Sequence, residues 1–326
     1  MIALYNYIAE TLRKVFLAEA HVFLRIEMVI GMYENLLLDK NNKETLVYGN
    51  QGFPIYVAEN QLDRYVLGYI PWHWHEEVQL MVVTSGKILF GLQGEQHELA
   101  PGHGIFVNSG FLHMARPKEK GAAYVCIDAT PKLFSSFSGS SIEEKYILPF
   151  FGSELLPAIL LRRGKNWCEY VISGVMEIYQ IYREKKFGYE LRITAKLMEI
   201  WEKLINSDAV RKKQPMQQDS NKGTMKNIIT FIESNFDKKI GLDDISKFVH
   251  LSKGECCRAF KRGADMTIFE YLIDYRIQKS AELLANSDMP ISQIAMAVGF
   301  SSTSYFSEMF KKHTNQTPSE YRRLRE

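Results

Sequence analysis

Cysteine is scarce in this 326-residue chain, and the four present, Cys126, Cys168, Cys256 and Cys257, form no C-x-x-C pair. Adjacent Cys256 and Cys257 cannot easily bridge each other, so the expectation is four reduced thiols in a cytoplasmic protein rather than a disulfide framework. No stretch stays apolar for the roughly 20 residues that a membrane span needs. The first 38 residues look helical and apolar, but Glu10, Arg13, Lys14, Glu19, Arg25 and Glu27 interrupt them, and no small-residue cleavage site of a signal peptide follows. That segment reads either as an extension upstream of a start at Met32 or as an extra helix against a partner subunit. A large charge of one sign is also missing. The net charge is +2, and residues 222–326 carry 16 Lys+Arg against 13 Asp+Glu. Binding to a polyanion depends on a locally basic face, so the global balance decides nothing. Neither a nucleophile–base–orienter arrangement, a phosphate-binding glycine loop nor a paired-carboxylate motif is visible, and no enzyme activity is expected.

With 46% apolar and 24% charged residues, the composition is that of an ordinary globular protein, and the length fits two domains or three small ones. From Gly49 to Asp128, runs such as Val78–Val83 and Lys87–Phe90 alternate with the turns Thr84-Ser-Gly86 and Gln93-Gly94-Glu95, the pattern of an antiparallel sandwich or small barrel. From Ser141 the pattern turns helical. Trp167, Val171, Ile172, Val175, Met176 and Ile178, then Leu191, Ala195, Leu197, Met198, Trp201 and Leu204, follow helical spacing. These two antiparallel helices cover the sheet, dimerise, or do both. Residues 207–223 are polar and aperiodic, as a linker would be. The expected division is an N-terminal helical extension (1–45), a barrel (46–140), a helical dimerisation region (141–206), the linker (207–223) and an all-α C-terminal domain (224–326).

That last domain repeats. Ile245–Ser252 aligns with Ile294–Ser301 at an offset of 49, and Phe260 with Phe310, Thr267 with Thr317 and Tyr271 with Tyr321 at an offset of 50. Each copy reads as a supporting helix, a tight turn (Gly299 in the second) and a reading helix, which is a helix-turn-helix shape that suits the DNA major groove. Ser252 and Ser301 or Ser302 are expected caps. Cys256, Ala259 and Phe260, and Phe306, Met309 and Phe310, are expected to point inward. Outward fall Lys253, Gly254, Cys257, Arg258 and Lys261 in the first reading helix, and Ser302, Thr303, Ser304, Ser307, Glu308 and Lys311 in the second. Hydroxyls and cations on such a face suit base-edge and phosphate contacts. Thr317-Pro-Ser-Glu320 has the form of a capping box with proline at the first helical position.

The run Ile291–Lys312 followed by Thr317–Arg322 closely resembles the end of AraC/XylS-type transcription regulators. The resemblance implies that the outward positions meet bases in two successive major grooves of double-stranded DNA, about 34 Å apart, with Arg258 at a base-reading position. Glu308 stands where the family often has Arg, and Gly254 and Cys257 replace larger polar residues. It also implies a small-molecule effector, a homodimer and a contact with RNA polymerase.

A second segment, Pro71-Trp-His-Trp-His-Glu-Glu-Val-Gln79, puts His73, His75, Glu77 and Gln79 on one face of a strand, with Trp72 and Trp74 opposite. With Gly102-x5-Asn108-Ser-Gly110-x2-His113 it resembles the cupin motif pair, which sets two His, an acid and a third His around a metal. Gln79 stands at the acid position, Asn108 at the motif's Pro and Pro117 at its closing Asn. The expected effector-binding set is Trp72, His73, His75, Glu77, Gln79 and His113. The same site offers a metal set of His73, His75, Gln79 and His113 for a divalent ion, whereas cupin-like domains of such regulators usually carry the fold without a metal. The fold class expected is α+β and multidomain: an N-terminal cupin-like β-barrel with flanking helices, then tandem helix-turn-helix units. The function expected is an effector-controlled, sequence-specific transcription regulator, the effector being a polar molecule such as a sugar. The competing readings are a metal-dependent cupin enzyme or metal sensor fused to a DNA-binding module, and a barrel that only dimerises.

Overall fold

The structure, a computed structural model, describes residues 36, 43–49, 52–135, 137–153, 156–211 and 222–323. The expected N-terminal helix and most of the linker lie outside the described residues. Among the described residues nine strands form two antiparallel sheets: β1 (Ile55–Gln61), β2 (Ile70–His73), β3 (Val78–Ser85), β4 (Ile88–Leu92), β5 (Glu95–Leu99), β6 (Gly104–Val107), β7 (His113–Pro117), β8 (Ala123–Ala129) and β9 (Ala158–Leu161). The sheet orders are β1-β8-β3-β6-β9 and β2-β7-β4-β5. β3 is apolar on nearly every position because both its faces are covered. Met81 and Val83 point between the sheets, whereas Leu80 and Val82 point to the outer helices. β5, at the edge of its sheet, is mostly polar and joins β4 through Gln93 (φ 47) and Gly94 (φ 95), a two-residue turn whose positive φ matches strand twist.

β9 corrects the expectation that the chain turns helical from residue 141. Its four residues, Ala-Ile-Leu-Leu, pair with β6, and a short apolar run of this kind has no period that separates strand from helix. The helices α1 (Asn166–Glu184) and α2 (Tyr189–Ile205) then cover the outer face of the five-stranded sheet. Val171, Val175, Ile178, Ile193, Leu197, Ile200 and Trp201 pack there with the strand residues. One turn, α3 (Asp208–Arg211), follows.

The C-terminal half consists of α4 (Lys222–Ser234), α5 (Leu242–Val249), α6 (Lys253–Ala264), α7 (Ile268–Asn286), α8 (Ile291–Ala297), α9 (Thr303–Thr314) and α10 (Pro318–Arg323). The repeat seen in sequence is a repeat in space. Ile245, Phe260 and Tyr271 are buried in one core, and Ile294, Phe310 and Tyr321 in the next, with α7 giving its first turns to one core and its last to the other. The reading helices both end at a left-handed polar residue, Asp265 (φ 54) and Asn315 (φ 59), fifty apart. The turns before them are also equivalent, at His250 (φ 55) and Gly299 (φ 85). Reciprocal capping boxes start α6 (Ser252/Glu255), α7 (Thr267/Glu270) and α10 (Thr317/Glu320).

The two halves share buried surface. Trp72 and Met114 of the four-stranded sheet, with Leu112 just before β7, lie in the first helix-turn-helix core, and Val66 lies in the second. At Gly94 and Gly263 the backbones themselves meet. A Cβ built on either would come within 3.1–3.3 Å of the other's Cα.

Candidate functional site

The residues of the two expected sites lie on opposite halves of the chain. In α6, Cys256 and Phe260 are buried and Ala259 is half-buried, which leaves Lys253, Gly254, Cys257, Arg258 and Lys261 exposed on the opposite side. Gly254 gives Arg258 its room: a Cβ there would stand 3.1 Å from an Arg258 guanidinium nitrogen. Lys253 is tied to Asp243 at 2.7 Å, and Lys261 donates to the Asp265 carbonyl at 3.2 Å. In α9, Phe306 and Phe310 are buried, and Ser302, Thr303, Ser304, Glu308 and Lys311 are exposed. Of the two candidate serines Ser302 is the cap, its side chain accepting from the Tyr305 N–H. Ser307 is half-buried, with its hydroxyl given to the Thr303 carbonyl at 2.9 Å. The exposed cations Arg262 and Lys312 lie at the ends of these faces and were missed, although each follows a named lysine by one residue.

The barrel half is more closely built. Along β2, whose pairing with β7 shifts register between Ile70 and His73, alternation puts Trp72 outward in the helix-turn-helix core and His73 inward. Trp72 therefore does not join the expected effector set. His73 pairs with His113 on β7, and His75 completes a cluster with ring centroids 4.1, 5.0 and 5.9 Å apart. All three rings are buried, and one nitrogen from each lies within 4.8 Å of the others. Each Nδ1 faces a backbone carbonyl, His73 to Pro71 at 2.9 Å, His75 to Glu77 at 3.1 Å and His113 to Phe111 at 2.8 Å. A carbonyl only accepts, so Nδ1 carries the proton, and in the neutral ring the lone pair sits on Nε2.

Neutral rings are what the surroundings favour. Burial, and next His113, holds His75 down to about 3; burial holds His113 down to about 4. Burial, then His113 and His75, puts His73 well below its ordinary value.

Gln79 faces its register partner Asp128 and hydrogen-bonds to that carboxylate. Two acids approach the Nε2 atoms: Asp128, whose Oδ1 lies 3.8 Å from His75 Nε2, and Glu44, whose Oε2 lies 3.5 Å from His73 Nε2. Neither was expected. Asp128 could have been found as the one carboxylate within the apolar strand Ala-Tyr-Val-Cys-Ile-Asp-Ala, on the same alternating face as Tyr124 and Cys126. Glu44 precedes the sheets and carried no pattern; a bridge from Lys43 to Trp74 brings it in. Burial first, then Asp128 and Glu77, pushes the Glu44 carboxyl up to about 8. Burial also lifts Asp128 to about 7, against the hydrogen bonds of Gln79 and Cys126. Glu77 accepts from the Tyr48 hydroxyl and lies on the Nδ1 side of His75, its Oε2 3.7 Å from that nitrogen.

A helix-turn-helix domain model matches residues 245–324, and an AraC-like ligand binding domain model matches residues 56–200. The chain is 34% identical over 293 residues to the uncharacterized HTH-type transcriptional regulator YdeC of Bacillus subtilis (strain 168), covering 89% of this chain and 99% of that one. This chain belongs to the AraC family of transcriptional regulators. Within the family it is also similar to the melibiose operon regulatory protein of Escherichia coli (strain K12), 21% identical over 259 residues, 77% of this chain and 83% of that one. Among solved structures, an AraC-type transcriptional regulator from Chromobacterium violaceum matches 32% of this chain and 92% of its own, at 30% identity and a TM-score of 0.31. As a family member the chain is a DNA-binding transcriptional regulator with an effector-binding domain, and the expected α+β class, barrel followed by helix-turn-helix units, holds. Among the described residues no helix is long and apolar enough to cross a membrane.

Proposed function

We propose that this regulator binds a small hydroxyl-bearing effector of the sugar class in its barrel and passes that event to the DNA-reading helices through β2. The observation that carries the reading is the contact at the end of that strand. Tyr69, directly before β2, donates its hydroxyl to Asp274 in the middle of α7, and the other oxygen of Asp274 lies 2.9 Å from His313 Nδ1 on α9. The Arg116 guanidinium lies 4.6 Å from the centre of the Tyr69 ring and holds it in place. At its other end β2 carries His73, so a ligand that moves the histidine cluster pulls on the helix that joins both reading units. A ligand controls the protein only by favouring one such arrangement over another.

The regulation of a melibiose operon by a relative supports the sugar class. On this reading Lys253, Gly254, Cys257, Arg258 and Lys261 face one major groove, and Ser302, Thr303, Ser304, Ser307, Glu308 and Lys311 the next. Residues 46–161 form the effector domain and 224–326 the DNA-binding domain. The α1–α2 pair joins two chains in a cytoplasmic homodimer, for which the exposed apolar residues Phe187 and Leu191 at its tip are suited, and the DNA-bound dimer meets RNA polymerase.

The test is selection of a DNA site with the full-length protein, followed by affinity measurements with mono- and disaccharides. A sugar should change the affinity at least fivefold, and Tyr69→Phe should abolish the change while sugar binding persists. If Tyr69→Phe responds like the wild type, the route through β2 is wrong.

A further inference from the structure

The two helix-turn-helix units are built alike, but their turns are covered differently. His250, at the first turn, is exposed. The second turn is roofed by the loop between α4 and α5, which belongs to the other unit, and a Cβ on Gly299 would strike the Phe236 carbonyl of that loop. One unit closes its turn without such a roof, so the fold of a single unit does not require it. The contact joins the units.

At its centre is Arg276, buried in the middle of α7. Its Nε donates to the Phe236 carbonyl and its Nη2 to the Lys238 carbonyl, both at 2.8 Å. Two bonds from one planar fork fix the guanidinium against the loop of the first unit. The same guanidinium lies over the ring of Phe300 in the core of the second unit, its Cζ 5.6 Å from the ring centre. Phe236 packs against both cores and meets the Tyr275 ring edge-on at 5.2 Å.

Without this contact α7 would be a single shaft. Its 19 residues span about 28 Å at 1.5 Å each, and long helices are rarely straight. A bend of about 10° would carry the far end roughly 5 Å, more than the roughly 3.4 Å between base pairs. A second connection beside the shaft removes that freedom, as a diagonal brace does.

We propose that Arg276 is a positioning residue that sets the spacing of the two reading helices, and so makes the protein selective for the number of base pairs between its two DNA subsites. Arg276 acts through α6 and α9 rather than on a base. The proposal rests on the reading that α6 and α9 enter two successive major grooves.

The test uses full-length protein and a DNA selected from a random-sequence pool, with the subsites of one chain mapped by hydroxyl-radical footprinting. Base pairs are then inserted or removed singly between the subsites, and affinity is measured for wild type, Arg276→Met and Arg276→Lys. Each step turns one subsite by about a tenth of a helical turn, so the wild type should lose the base contacts of one reader, about tenfold or more in affinity. Arg276→Met should lose less than about threefold per step while binding the optimal site more weakly, because its readers are no longer pre-organised. Arg276→Lys, with an ammonium in place of the fork, should fall between the two. Three results would overturn the proposal. Variants that keep the wild-type spacing penalty would leave α7 as the whole spacer. Binding lost equally at every spacing, with faster hydrogen exchange over 291–314, would make Arg276 a support of the second unit's fold alone. A wild type indifferent to spacing would leave no spacer to assign. A footprint of one subsite per chain is a separate result: it would refute the two-groove reading itself, and this proposal with it.

Discussion

Gly299→Ala should unfasten the second helix-turn-helix unit, and the cost can be built up from its surroundings. Gly299 has φ 85, where an L side chain is strained by roughly 1–2 kcal/mol. An added Cβ would stand 2.5 Å from the Phe236 carbonyl oxygen and 2.7 Å from an Arg276 guanidinium nitrogen. Those two groups are themselves joined: Arg276 Nε donates to the Phe236 carbonyl and its Nη2 to the Lys238 carbonyl, both at 2.8 Å. Relieving the clash breaks at least one charged-donor hydrogen bond, about 1.5–3 kcal/mol. The sum is about 2.5–5 kcal/mol, a rise of roughly two to three and a half orders of magnitude in local opening at about 1.4 kcal/mol per decade. Hydrogen exchange of the full-length protein, read on peptides covering 291–314, resolves that unit from the rest. The equivalent turn residue provides the opposite control. His250 sits at φ 55 with its side chain exposed, so His250→Gly removes strain and should slow opening of 242–264 a few-fold. If Gly299→Ala opened within fivefold of the wild type, the packing of this turn against Arg276 would not be what holds α8 and α9 together.

Other expectations follow from the same contacts. Arg258→Ala should lower affinity for a selected DNA site by about 1–3 kcal/mol and relax preference at one base pair, whereas Lys261→Ala should weaken all sequences alike and reduce the slope of log affinity against log salt by about 0.9; competition titrations at several salt concentrations separate the two. Phe187→Glu with Leu191→Glu should shift sedimentation toward the monomer without loss of helix content. Phe260→Ala and Phe310→Ala, each emptying one of the two repeat cores, should each cost about 3–5 kcal/mol in chemical denaturation and abolish DNA binding.

The helical half was almost wholly legible, because its signals are local: apolar spacing, capping residues and a repeat that states the same rule twice. Ile245, Phe260 and Tyr271 declare their burial by aligning with Ile294, Phe310 and Tyr321. The barrel was legible as strands and as a histidine cluster, and alternation already set Trp72 opposite the histidines, yet the register that set Gln79 against Asp128 is long-range. Glu44 arrives from irregular chain with no period at all. A pairing rule two residues wide cannot anticipate a carboxylate contributed from thirty residues upstream.

The meeting of Gly94 and Gly263 has a consequence for how this regulator could vary. Where Gly94 of the β4–β5 turn meets Gly263 of α6, neither residue has a side chain to rearrange, so the spacing at that contact is set by bare backbone. A single carbon placed on Gly263 would be a wedge, meeting the Gly94 Cα at 3.1 Å and the Met225 sulfur at 2.5 Å. Substitutions at this point would tune the resting state of the switch in steps one methyl group wide, leaving both the surface that reads DNA and the interior that senses the signal chemically untouched.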